Sequence, residues 1–142
     1  MFGDNYSDGP PEERSMTATD FDAERTYNDE RFATSEVFHS DRVKVICGYF
    51  EPGQFIPVHA PASDLVLNVR SGTGIVREGD AERSIEPGDV VVVEAETERG
   101  IKADDDTRLE LLLVTAPPPT EAEHDPVREG LQRGEFDPRG EN

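Results

Sequence analysis

Few side chains in this sequence are placed to do chemistry. His59 sits inside the apolar segment "QFIPVHA", Asp64 follows in "PASDLVL", and Arg99 stands in "TERGIKA". An imidazole in such a setting can ligate a metal, move a proton or be a partly buried histidine bonded to backbone or a carboxylate. A guanidinium beside it can hold a carboxylate through charge-assisted hydrogen bonds. His39 and Cys47 lie on earlier segments, and Glu98 precedes Arg99. No Ser/His/Asp or Cys/His arrangement can be read from the spacing. "DDD" at Asp104–Asp106 lacks the spacing and glycine of a calcium loop and reads as an acidic hairpin tip. "SGTG" at Ser71–Gly74 is not followed by a helical pattern, so it is a turn rather than a phosphate cradle.

These residues need elements to position them. Strand patterns run through "SEVFHS", "RVKVICGYFE", "QFIPVHA", "DLVLNVR", "IVREGD", "AERSI", "VVVVEA", "RGIKA" and "RLELLLVTA". Turn signals separate them every few residues, which predicts an all-β sandwich or barrel. "VVVV" has high β-propensity and belongs in an interior strand or a subunit contact. "ATDFDAERTY" can form one helical turn within an otherwise extended, flexible, acidic arm over residues 1–30. The barrel is expected over 31–117. A Pro-rich tail over 118–142 carries a short helix, "DPVREGLQRG", with Asp125 as N-cap, Pro126 first in the helix and Gly134 as its stop. Val127 and Leu131 form one small apolar stripe, expected to dock on the protein's own sheet.

The 142-residue chain carries 32 acids against 14 Lys and Arg, a formal net charge of −18. Only Lys44 and Lys102 are lysines; the other twelve bases are arginines. An acidic surface with little lysine stays hydrated in concentrated salt, which screens its self-repulsion, so a halophilic protein is expected. The same charge argues against direct nucleic-acid binding. Cys47 has no partner for an intramolecular disulfide and reads as a buried, inert thiol. No leader and no long apolar run are read, so a cytoplasmic protein away from membranes is expected.

Gly53 is followed by "QFIPV" and His59; "SGTG" follows the next strand; "EPGD" contains Gly88. In this order and spacing the segment resembles the two motifs of the cupin superfamily, small double-stranded β-helix or jelly-roll barrels. The resemblance implies a metal held by three histidines and one glutamate, of which only His59 stands in place. Pro61 occupies the second His position and Leu65 the Glu position. In the second motif Glu94 replaces a proline, Glu96 a glycine, Arg99 the third histidine and Ala103 an asparagine.

Side chains alternate across a strand, so Phe55, Pro57, His59 and Pro61 are expected on one inward face. Leu65, Leu67 and Val69 share the next, and Arg99, Ile101 and Ala103 a later one. The expected ligand pocket is therefore His59, Arg99, Phe55, Leu65, Leu67 and Ile101. It would take a small anionic ligand in a homodimeric binding or accessory protein, with no cofactor. The alternative is a metal-dependent enzyme of isomerase or dioxygenase type, its divalent transition metal held by His59 with Asp64 through a β-bulge. A further alternative is an interaction module docking on a protein partner through residues 1–30 and 118–142. The charge reading has a direct check: chemical stability should rise from low salt to molar KCl, and equal stability in both would remove the halophile.

Overall fold

The computed structural model describes residues 16–137. Nine strands run through them, in two antiparallel sheets. These are β1 (Ala33–His39), β2 (Lys44–Phe50), β3 (Phe55–His59), β4 (Asp64–Ser71), β5 (Gly74–Glu78), β6 (Ala81–Ile85), β7 (Val90–Val93), β8 (Arg99–Ala103) and β9 (Leu109–Ala116). The larger sheet has the order β1-β2-β9-β4-β7 and the smaller β3-β8-β5-β6. Consecutive strands repeatedly sit in opposite sheets, which is the winding of a double-stranded β-helix. Among the described residues no helix is long and apolar enough to cross a membrane.

Alternation builds the core. Along β4, Leu65, Leu67 and Val69 are buried while Asp64, Val66 and Arg70 are exposed. Together with Val76, Ile85, Val91, Val93, Ile101, Leu109 and Leu111 they fill the space between the sheets. Each Leu, Ile or Val taken out of water contributes about 1.5–3 kcal/mol against its ordering entropy. The "VVVV" segment is not an interior strand: β7 is an edge of the larger sheet. Val91 and Val93 point in, while Val90 and Val92 remain 59% and 58% exposed beside Val66.

The outer face of β2 is covered from within the chain. Residues 16–30 lie across it rather than standing off as an arm; residues 1–15 of that expectation fall outside the described residues. The expected helical turn is there, as α1 (Phe21–Glu24), capped by the Asp20 carboxylate accepting from the Ala23 amide at 2.8 Å. The anchor is Glu110 on β9, only 4% exposed. Arg25 donates to both its oxygens, at 2.6 and 3.0 Å, and the Tyr27 hydroxyl donates at 2.7 Å. Burial pushes the Glu110 carboxyl up, but these donors outweigh it and hold its pKa below the ordinary value. Tyr49, fully buried, donates to the Phe21 carbonyl and meets the Tyr27 ring edge-on at 5.5 Å. Cys47 is buried under the same cover.

The tail packs as the sequence predicts, with one correction. The helix α2 spans Asp125–Arg133 and stops at Gly134 in the left-handed region, but Asp125 is its first residue and not its cap. A 3-10 turn at Ala122–His124 leads straight into it. The capping falls earlier: the Thr120 hydroxyl accepts from the Glu123 amide while Glu123 accepts from the Thr120 amide, a reciprocal box. The second Glu123 oxygen accepts from the Ala62 amide at 3.0 Å, tying the tail to the β3–β4 loop. α2 lies so close to β3 that a Cβ on Gly130 would stand 2.6 Å from the Pro57 ring. Glu110→Ala is expected to cost about 2 kcal/mol, because it strands the donors of Arg25 and Tyr27. It should also speed amide exchange through residues 20–30; unchanged protection there would show that ring packing alone seats the segment.

Candidate functional site

A β-bulge decides which side chains of β3 face the interior. Against β8, Ile56 pairs with Ile101 but His59 pairs with Arg99, three residues on one strand against two on the other. Pro57 has no amide to give the ladder, and the Val58 amide donates instead to the Phe136 carbonyl at 2.7 Å. The bulge reverses the parity: Ile56 and His59 face in together. Phe55 therefore does not join the pocket and packs edge-on against Phe136, centroids 5.8 Å apart. Pro57 likewise turns toward α2.

The inward side chains surround a cavity of about 260 Å³ at one end of the space between the sheets. His59, Leu65, Arg99 and Ile101 line it, and so does Pro61. Leu67 faces the same way but lies deeper, in the filled core, and does not reach it. The four positions that the cupin resemblance assigns to ligands, His59, Pro61, Leu65 and Arg99, thus all border one cavity. Only one of them carries a metal donor. Asp64 is exposed, its carboxylate accepts from the Ala95 amide at 2.9 Å, and it is not in the lining. Among the described residues no three His, Cys, Asp or Glu side chains gather closely enough to hold a metal ion. The side chains at this place do not fit a metal centre.

Arg99 is 3% exposed and bonded throughout to backbone. Its Nε donates to the Thr97 carbonyl, one terminal nitrogen to Ser63 and the other to Glu94, at 3.1, 2.9 and 2.8 Å. It staples the β3–β4 and β7–β8 loops together. Burial pushes its pKa down, with the charges of Asp64 and Glu78 opposing that shift. In the stapled β7–β8 loop, Glu96 adopts φ 69°, a left-handed conformation that favours glycine.

The His59 Nδ1–H donates to the Pro57 carbonyl at 2.9 Å, which leaves Nε2 as the unprotonated atom. Burial lowers the His59 pKa, and the nearby charges of Arg99 and His124 lower it further. His124 is lowered too, by burial first and then by Lys44. Lys44 on β2 and His124 in the tail both line the cavity, and neither was singled out from the sequence as a site residue. His39 and Cys47 lie elsewhere, His39 exposed beside Glu36 and Cys47 under residues 16–30.

Both lining histidines are depressed, so between the unfolded value of about 6.5 and the folded values the unfolded chain binds more protons. Stability is therefore full above pH 6.5 and is lost as pH falls through that window. The thermal midpoint should drop between pH 7.5 and 5.5, and drop less in His59→Gln. Equal drops in both proteins would place the loss on other groups.

No protein-family model and no curated protein matches the sequence. Solved structures do. TT1209 from Thermus thermophilus is 32% identical, with a TM-score of 0.70, over 73% of this chain and 100% of that one. An RmlC-like cupin protein from Desulfovibrio desulfuricans is 26% identical, with a TM-score of 0.60, over 83% of this chain and 98% of the other. A protein with a double-stranded β-helix domain from Klebsiella pneumoniae shares the fold at 19% identity and a TM-score of 0.67, over 72% and 91% of the two chains. By sequence, winding and these likenesses, the chain belongs to the cupin superfamily.

Proposed function

We propose that this cupin is a small-molecule binding or accessory protein whose cavity takes a small organic anion. One observation carries the reading. The chain has 32 acids, yet among the described residues no Asp or Glu lines the cavity, while Lys44, His59, Arg99 and His124 do. The rest of the lining is mainly apolar, with Ile46, Ile56, Leu65 and Leu113 from both sheets. An apolar pocket with a few convergent polar groups is the usual form of a ligand site. In a protein of net charge −18 a local excess of positive groups stands out against the surrounding field and favours an anion at that place. The volume of about 260 Å³ suits a compact ligand. The donor set supports binding over metal-assisted chemistry, and nothing in the lining supplies an activated nucleophile.

The test sets short carboxylates against their amides: hexanoate against hexanamide, and benzoate against benzamide. Each pair has the same body and differs in charge. A carboxylate at ten times its Kd should stabilise the protein by about 1.4 kcal/mol, read as a rise in the unfolding midpoint, and its amide by clearly less. Equal effects within both pairs, or none, would overturn the reading.

A further inference from the structure

Two features show which of the four basic groups is free to take the anion. The three Arg99 nitrogens each already serve a backbone carbonyl, so this guanidinium is a wall of the cavity. Lys44 is half-buried, and among the described residues its ammonium makes no hydrogen bond or ion pair. The His124 ring, also half-buried, makes no hydrogen bond among them either. Glu121, Glu123 and Arg128 lie near His124 on the tail, but Glu123 is committed to the Thr120 and Ala62 amides and Glu121 to Arg128. β2 and the tail thus bring an ammonium and an imidazole, neither of them hydrogen-bonded among the described residues, to the lining of one cavity. His124 is also shared between this cavity and an adjoining groove of about 510 Å³, which runs past Asn28, Arg31 and Leu131. It therefore marks the mouth.

We infer that Lys44 and His124 form the anion anchor, bridged by the two oxygens of a monocarboxylate whose apolar body lies inward on Ile46, Ile56 and Leu113. This deepens the reading above and rests on it. The charge count favours a monoanion: Lys44 supplies one full positive charge, and a neutral His124 supplies one N–H donor. That is two donor groups and one positive charge, and the single charge matches a carboxylate rather than a phosphate dianion. Ile46 follows Lys44 by two residues on β2 and lines the same cavity with Ile56 and Leu113, so the ligand class is a short aliphatic or aromatic monocarboxylic acid. Arg99 contributes long-range attraction and shape without touching the ligand.

The experiment measures benzoate, benzamide and phenyl phosphate binding by calorimetry on the full chain, for wild type, Lys44→Met, His124→Leu and His59→Gln. Wild type should prefer benzoate to benzamide at least tenfold and bind phenyl phosphate more weakly than benzoate. Lys44→Met and His124→Leu should each lose fivefold or more for benzoate, with benzamide changed less than twofold. Lys44→Arg, which keeps charge and donors, should keep the preference for benzoate and so separates loss of the anchor from loss of the fold. Benzoate binding that survives both anchor variants and falls in His59→Gln would place the anion at the inner end and overturn the inference. Tighter phenyl phosphate would overturn the monoanion class. A wild type that does not discriminate benzoate from benzamide would instead remove the anion reading on which the inference rests.

Discussion

The site depends on a buried cation that no carboxylate neutralises directly. Arg99 is held by three carbonyl dipoles, from Ser63, Glu94 and Thr97, and has no ion pair among the described residues. Burying a charge is costly unless its hydrogen bonds are made. Here they are made by the two loops that close one end of the barrel, so those loops are fixed in place by the charge they solvate. A neutral side chain would take the Arg99 donors from the Ser63 and Thr97 carbonyls and leave the Glu94 carbonyl only the Thr97 amide, and a lysine lacks the planar fork that reaches all three. The positive potential that remains adds to burial in depressing His59 and favours an anion in the cavity.

The opposite wall comes from the tail. Its 3-10 turn supplies His124 and its helix Val127 to the cavity, and its last described turn fills the outer face of β3 with Phe136. Arg77 on β5 meets Asp137 at 3.1 Å, both side chains largely buried, which fixes the far end. A pair so shielded keeps more of its Coulomb attraction than an exposed one. The cavity thus has one wall set by backbone dipoles and another set by side chains that arrive late in the chain.

Much of the fold was legible because period-two burial and turn residues agree along the chain. β4 reads correctly from "DLVLNVR", and Asp64 faces outward as its phase requires. Phe55 was misplaced for a reason visible afterwards in the residues: a proline inside a strand pattern removes a ladder amide, and Pro57 marks the bulge that reverses parity. Leu67 shows a different shortfall, since alternation gives the face but not the depth. Lys44 was missed although it shares the alternate face with Ile46 in "RVKVI", because no local pattern says which face of β2 turns inward. His124 was missed because capping signals describe where a helix starts and not what it lands on. Residues 16–30 read as an arm because their composition is polar, yet Arg25 and Tyr27 find their partner in Glu110, eighty-five and eighty-three positions away.

The bulge in β3 has a consequence for inheritance. It takes the Val58 amide out of the sheet, and the Phe136 carbonyl receives it. Pro57, turned outward by the same step, leaves room only for a glycine at position 130. A buried amide without an acceptor costs about 1–3 kcal/mol, so the irregular strand and the tail carry each other's defects. Neither can be exchanged alone with a barrel of regular strands. Selection acts on them as one unit, although more than seventy residues of sequence separate Val58 from Phe136.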